Sequence, residues 1–166
     1  MNQFHQFIMT EKIEKNFLHL ALYQPDIPQN VGAAMRLSAC MGITLDIIEP
    51  CGFPWKPAEF KRSGMDYIEL VECHRHSSWK KFQTLYPQQR RVLLTTKTQQ
   101  SYFDFTFQPG DILLMGRESA GVPEYVHEDV DEKLTIPMFG EARSLNVINA
   151  ASMVCGEALR QHLKKS

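Results

Sequence analysis

Asp111-Ile112-Leu113-Leu114-Met115 is a continuous apolar run, entered by an acid and closed by Gly116. It shows no alternation of apolar and polar residues. A strand with one wet face alternates, whereas a strand covered on both faces reads as an unbroken run. Val92-Leu93-Leu94, inside a strand predicted over Arg91–Thr95, has the same character. Two such strands predict a mostly parallel sheet with helices on both faces, an α/β fold.

Outward from this pair, the chain alternates short apolar runs with amphipathic segments. Further strands are expected over Phe17–Tyr23, Thr44–Ile48, Tyr67–Glu72 and Leu134–Ile136. Helices are expected over Asn30–Met41, with Asn30 as N-cap, over Ser77–Tyr86, stopped by Pro87, and over Asn146–Leu163. Residues 17–166 read as a single domain, and residues 1–16 as an N-terminal extension. The 166 residues, 43% hydrophobic, suffice for one core.

Charge and cysteine content narrow the classes. The net charge is −1, so the chain is no polycation. Residues 56–97 nevertheless carry nine Lys or Arg against four acids, while residues 98–132 carry Arg117 against eight acids. The basic segment is either a polyanion footprint or a solvated face. Cys40, Cys51, Cys73 and Cys155 form no Cys-x-x-Cys pair, and Cys40 and Cys155 read as buried thiols in helices. No disulfide framework is indicated, which favours a reducing compartment. Cys73-His74-Arg75-His76 lacks a second ligand cluster, so no metal is expected. No run approaches the length of a membrane span.

In an α/β sheet, ligands sit beyond the carboxyl ends of strands. Three blocks of unusual composition lie near such positions. The first is Pro25-Asp26-Ile27-Pro28-Gln29-Asn30-Val31-Gly32, with Arg36 one turn on. The second is Gly116-Arg117-Glu118-Ser119-Ala120-Gly121-Val122-Pro123. The third is Arg143-Ser144-Leu145-Asn146-Val147-Ile148-Asn149-Ala150. Arg36 lies among Ala33, Ala34, Met35, Leu37 and Ala39. It either occupies the helix's exposed stripe or aims at a phosphate or a reacting hydroxyl. Gly116 and Gly121 have the spacing of a Walker A loop, but Val122 and Pro123 replace the Lys and Ser/Thr that such a loop needs. A Gly-x-Gly-x-x-Gly fingerprint is absent too. What remains is a glycine-framed loop able to bring bare backbone against a flat ligand. In the third block, Ser144 and Asn146 either cap the last helix or, with Asn149, wall a polar ligand. Ala150, Ala151, Gly156 and Ala158 suit that helix to a close packing contact.

In this order and spacing, the three blocks resemble the motifs of the SPOUT class of RNA methyltransferases. The likeness is greatest to its small tRNA (cytidine/uridine-2′-O)-methyltransferases. It extends through Ile47–Trp55, Arg62–Tyr67 and Leu94–Lys97. The resemblance implies a C-terminal trefoil knot, which fold rules alone would exclude. It also implies a homodimer, with S-adenosylmethionine bound in the knot, and a cytoplasmic enzyme. Its implied activity is 2′-O-methylation of the wobble nucleotide, cytidine or uridine, in the tRNA anticodon loop. The cofactor would lie against Leu94, Thr95, Gly116, Ile136, Ser144, Leu145 and Asn146. Arg36 would face the reacting ribose, and Asn30 and Glu118 would order the site. Lys61, Arg62 and Arg143 would meet RNA. Arg117 departs from the motif, which has Pro after its Gly. Two alternatives remain at this point: another tRNA or ribosomal RNA nucleotide as target, or a non-catalytic flavodoxin-like ligand-binding module.

Overall fold

The computed structural model describes residues 16–56, 58, 60 and 67–164. The expected extension therefore lies, apart from Asn16, outside the described residues, and so do Lys61 and Arg62.

Six strands form one sheet: β1 (Leu18–Tyr23), β2 (Thr44–Ile48), β3 (Cys73–His76), β4 (Arg91–Leu94), β5 (Asp111–Met115) and β6 (Glu132–Leu134). Their spatial order is β3-β2-β1-β5-β4-β6, and all five pairings are parallel. Helix α1 (Pro28–Met41) follows β1, α2 (Trp79–Leu85) follows β3, α3 (Glu124–Asp129) follows β5, and α4 (Val147–Lys164) ends the described chain.

The unbroken apolar runs have the meaning expected of them. Leu113 and Met115 join a cluster with Leu20, Leu22, Leu45 and Ile47, covered by Val31 and Met35 of α1 and by Ile148, Val154 and Cys155 of α4. Ile112 and Leu114 join the opposite cluster with Ala21, Tyr23 and Leu93, covered by Trp79 and Phe82 of α2 and Val126 of α3. Successive residues of each strand thus feed opposite cores, as the two-residue repeat of a strand requires. Each fully buried leucine contributes about 2 kcal/mol of transfer free energy, and Leu20, Leu45, Leu113 and Leu114 are all fully buried.

Several sequence expectations need correction. α1 starts at Pro28, with Ile27 in the N-cap position and no side-chain cap. Pro28 begins the helix because a proline there loses no hydrogen bond. Asn30 is therefore inside the first turn, and its side chain is free for other work. The third strand is Cys73–His76, whereas Tyr67–Leu70 are turn. Nothing apolar marks this strand. Its residue His76 instead meets Asp46 of β2: Nε2 lies 2.6 Å from Oδ1, and the Tyr86 hydroxyl donates to the same oxygen at 2.9 Å. Asp46 is wholly buried, so hydrogen bonds to its carboxyl group replace apolar contact as the mark of this pairing. His19 Nδ1 also lies 3.4 Å from Asp46 Oδ2. The last strand is Glu132–Leu134, two residues earlier than expected. Helix α3 and a 3-10 turn at Tyr102–Asp104 had no counterpart in the sequence reading. Cys155 is buried, and burial pushes its thiol up to about 12, but Cys40 is exposed.

Candidate active site

β1 leads through α1 to one side of the sheet, whereas β4 and β5 lie on the other. Such a reversal opens a crevice at the carboxyl ends of the strands. The three polar blocks meet there.

Glu118 is the centre of the contact. Its Oε2 accepts from the backbone N–H of Asp26 at 2.7 Å, and its Oε1 accepts from Asn30 Nδ2 at 2.9 Å. Asn30 Oδ1 in turn accepts from Asn146 Nδ2 at 3.2 Å. Asn146 Oδ1 caps α4 by accepting from the N–H groups of Ile148 at 2.9 Å and Asn149 at 3.2 Å. One side chain from each block therefore forms an unbroken polar chain. Asn30 is only 7% exposed, so its amide is held where both of its ends are satisfied.

The second block folds tightly on itself. Arg117 N–H donates to Gly121 O and Gly121 N–H to Arg117 O, each at 2.9 Å. Gly121 has φ +66°, a left-handed conformation that suits glycine. A Cβ on Gly116 would sit 2.6 Å from Gly121 Cα, so glycine at 116 lets the two ends of the loop touch. Arg117 Nη2 donates to Asp26 Oδ1 at 2.7 Å, and Ser119 donates to Asp26 Oδ2 through its hydroxyl at 2.5 Å and its N–H at 3.2 Å. These bonds to Arg117 and Ser119 hold the Asp26 carboxyl down at about 2. Gly52 packs against the same carboxylate, where a Cβ would lie 2.7 Å from Oδ1.

A cavity of about 540 Å³ opens over these loops, a size suited to a cofactor or nucleotide ligand. Its wall includes Leu94, Thr95, Gly116, Ile136, Ser144, Leu145 and Asn146, together with Asn30 and Glu118. All seven residues implied to hold a cofactor, and both residues implied to order the site, are thus brought together. The rest of the wall includes residues that no motif singled out, among them His127 and Met138. Apolar groups such as Leu93, Met115 and Val147 lie beside the amide chain and the glycine loop. This mixture fits a ligand with a flat base, hydroxyls and a thioether-like chain.

Arg36 is not in that wall. It is exposed, with its guanidinium carbon 5.0 Å from the centre of the Tyr67 ring. Arg143 is exposed as well and also stands outside the wall. Three of the nine basic residues of the central segment pair with local acids. Arg75 pairs with Glu49 and lies 4.4 Å over the Trp55 ring, Arg90 pairs with Asp111 at 2.7 Å, and Arg91 reaches Asp131 at 4.0 Å. Those three arginines serve the fold. Among the described residues there is no cluster of three groups able to hold a metal, and no helix is long and apolar enough to cross a membrane.

The model of the SpoU rRNA methylase family matches residues 17–156. The chain belongs to that family. The relatives agree with this membership. The tRNA (cytidine(34)-2′-O)-methyltransferase of Beijerinckia indica subsp. indica is 57% identical over 144 residues, which cover 86% of this chain and 90% of the relative. A solved structure described as giving insight into 2-OH methylation of C/U34 on tRNA superposes with a TM-score of 0.84 at 39% identity, covering 90% of this chain and 97% of the other. The SpoU methyltransferase AviRb from Streptomyces viridochromogenes, solved in complex with the cofactor AdoMet, gives a TM-score of 0.82 at 25% identity over 92% of this chain and 63% of its own. SpoU family membership sets aside the non-catalytic flavodoxin-like module. The family motifs singled out Asn30, Glu118 and Asn146 but not Asp26, whose role depends on Arg117, a departure from the motif. No single-sequence signal connects those two positions.

Proposed function

We propose that this chain transfers a methyl group from S-adenosylmethionine to the ribose 2′-hydroxyl of the wobble nucleotide, cytidine or uridine, in a tRNA anticodon loop. The observation that carries the reading is the hydrogen-bonded chain Glu118–Asn30–Asn146 beside a 540 Å³ cavity, in a chain 57% identical to a relative named for that reaction.

The cavity wall fits the cofactor. Leu94, Ile136 and Leu145 offer apolar surface for a base, the loop framed by Gly116 and Gly121 offers backbone at close range, and Thr95, Ser144 and Asn146 offer hydroxyl and amide groups. When bound, S-adenosylmethionine supplies a methyl carbon made electrophilic by its sulfonium. The residues do the rest. Glu118 is engaged by Asn30 and by the Asp26 N–H, so it positions the loops and is poorly placed as a base. Arg36 is the candidate to hold an RNA phosphate and to offset charge developing on the ribose oxygen. A guanidinium keeps its proton at ordinary pH, so the hydroxyl proton leaves to another group. Lys61, Arg62 and Arg143 are the candidates for RNA contact.

Residues 17–166 act as one domain in this reading, with the C-terminal part knotted, in a cytoplasmic homodimer. Exposed Met138, Phe139, Leu145 and Met153, and open space around Gly156, support a partner surface beside the cavity and along α4. Among the described residues, none comes within 4 Å of where a Gly156 Cβ would stand.

The test is incubation of the protein with labelled S-adenosylmethionine and tRNA lacking ribose methylation, followed by nuclease digestion and mass spectrometry. A 2′-O-methyl on nucleotide 34 is expected. Methylation at another nucleotide, or none, overturns the assignment.

A further inference from the structure

Among the described residues, four arginines lie over an aromatic ring: Arg36 over Tyr67, Arg75 over Trp55, Arg90 over Phe105 and Arg91 over Trp79. Three of them also meet an acid. Arg75 pairs with Glu49, Arg90 with Asp111 and Arg91 with Asp131. Arg36 differs. Its guanidinium carbon stands 5.0 Å from the centre of the Tyr67 ring, and among the described residues no carboxylate or carbonyl accepts from its nitrogens.

The difference lies between the face and the edge of the group. A guanidinium carries its five N–H donors in its own plane. A carboxylate occupies two of them at once, as Asp111 does for Arg90 at 2.9 and 2.7 Å. The π face of a ring attracts the charge and offers no lone pair, so it restrains the side chain while its donors stay available. An arginine that serves the fold is held by its edge. One that is held by a ring alone is ready for an anion.

Both members of the pair are anchored. Arg36 lies on α1, whose buried residues Val31, Ala34 and Met35 belong to the core cluster beneath that helix. The Tyr67 carbonyl accepts from the N–H groups of Leu70 at 3.0 Å and Val71 at 3.1 Å. Ile68 and Val71 of that turn pack against the same cluster. The ring is thereby fixed beside α1. Side chains on a helix lean toward its N-terminus, and that end of α1 carries Asn30, which meets Glu118 at the cavity.

Resting on the methyltransferase reading and on Arg36 as its phosphate-holding group, we infer that Tyr67 is a positioning residue for the reaction: its ring restrains the Arg36 guanidinium and leaves the hydrogen-bonding edge open to an RNA phosphate. Restraint before binding removes part of the ordering cost of the complex. RNA seated on the edge also takes water from the pair, and cation–π attraction strengthens on desolvation.

The experiment is single-turnover methylation of tRNA at saturating cofactor and saturating tRNA, with S-adenosylhomocysteine affinity read by calorimetry alongside. Tyr67→Leu is expected to slow methyl transfer about tenfold, within reach of a cation–π contact covered by a ligand, and to bind S-adenosylhomocysteine as the wild type does. Tyr67→Phe keeps the ring and is expected to stay within about twofold of the wild-type rate. In an Arg36→Ala background, Tyr67→Leu is expected to change the residual rate by less than about twofold, because the group it restrains is gone. In the wild type, the Arg36 Nε–H resonance, assigned by its absence from Arg36→Ala, should be shifted upfield of the free-arginine position by the ring current of Tyr67. That readout needs no variant at position 67 to fold. Normal transfer by Tyr67→Leu, equal losses in the Leu and Phe variants, a loss of S-adenosylhomocysteine affinity, a tenfold loss that persists without Arg36, or an unshifted Arg36 resonance overturns the assignment. Near-normal methylation by Arg36→Ala alone overturns the role given to Arg36, and the positioning role with it. A wild type that methylates no tRNA overturns the methyltransferase reading itself.

Discussion

Arg117 Nη2 donates to Asp26 Oδ1 at 2.7 Å, so the loop after β5 is tied by a charged bond to the turn after β1. Ser119 adds two further bonds to the same carboxylate. The two loops that frame the cavity are thus fastened to each other twice, through the Asp26 carboxylate and through Glu118.

The fastening depends on the charge of Asp26, which sets its pH range. The carboxyl is held at about 2, below its ordinary 3.8. A depressed carboxylate adds stability that is present above the unfolded value and is lost as pH falls through the folded one, here between about pH 4 and pH 2. The pair is partly solvent-exposed, so after screening its worth is about 1 kcal/mol. Glu157, paired with Arg160, titrates over the same range, so the comparison must be differential. Denaturant unfolding of the wild type and of Asp26→Asn should differ by about that amount at pH 6 and converge near pH 2. Equal stability at pH 6 would remove the pair from the account.

Glu118 accepts from two partners in two elements. Glu118→Ala leaves the Asp26 N–H and the Asn30 amide without an acceptor, at about 1–2 kcal/mol. Methylation by this variant should fall at least about tenfold, and Glu118→Gln, which keeps one acceptor oxygen, should retain more activity than Ala. The measurement is single-turnover methylation of tRNA at saturating cofactor.

Gly116→Ala places a methyl where Gly121 Cα stands, 2.6 Å away. The paired bonds between Arg117 and Gly121 must then open. Affinity for S-adenosylhomocysteine, read by calorimetry, should drop by about tenfold or more, while the thermal midpoint moves by a few degrees, because the loop lies outside both cores.

Arg36 tests the division of labour between cofactor and RNA. It is exposed and makes a cation–π contact with the Tyr67 ring, worth about 0.5 kcal/mol at such a site. Arg36→Ala should therefore leave stability and cofactor affinity unchanged, since the residue is not in the cavity wall. Turnover on tRNA should fall by about a hundredfold or more. Near-normal turnover would take Arg36 out of the mechanism.

Asp46 is a stability residue, not a catalytic one. Asp46→Ala leaves His76 and Tyr86 without their acceptor inside the second core. Leaving buried hydrogen-bonding groups unpaired costs about 1–3 kcal/mol each. Urea unfolding should register that loss, and methylation per folded molecule at low temperature should stay close to wild type.

The linear order alone determined the fold class, because strands buried on both faces cannot alternate, and Ile112–Met115 do not. Through its resemblance to a family, it also named nine residues of the cavity wall, though not His127 or Met138. It failed at β3, whose His76 bonds to the Asp46 carboxyl, a partner 27 residues before Cys73 and invisible to any periodicity. It misread Asn30 as a cap, because Asn at a helix start usually is one; only the fold brought Glu118 and Asn146 within reach of its two ends. The tertiary structure likewise decided that Arg117 finds Asp26, and that Arg75, Arg90 and Arg91 spend their charge on local acids. Burial and periodicity are written in neighbouring residues. Pairing between polar groups is written only in distances, and distances between remote positions exist only once the chain has folded.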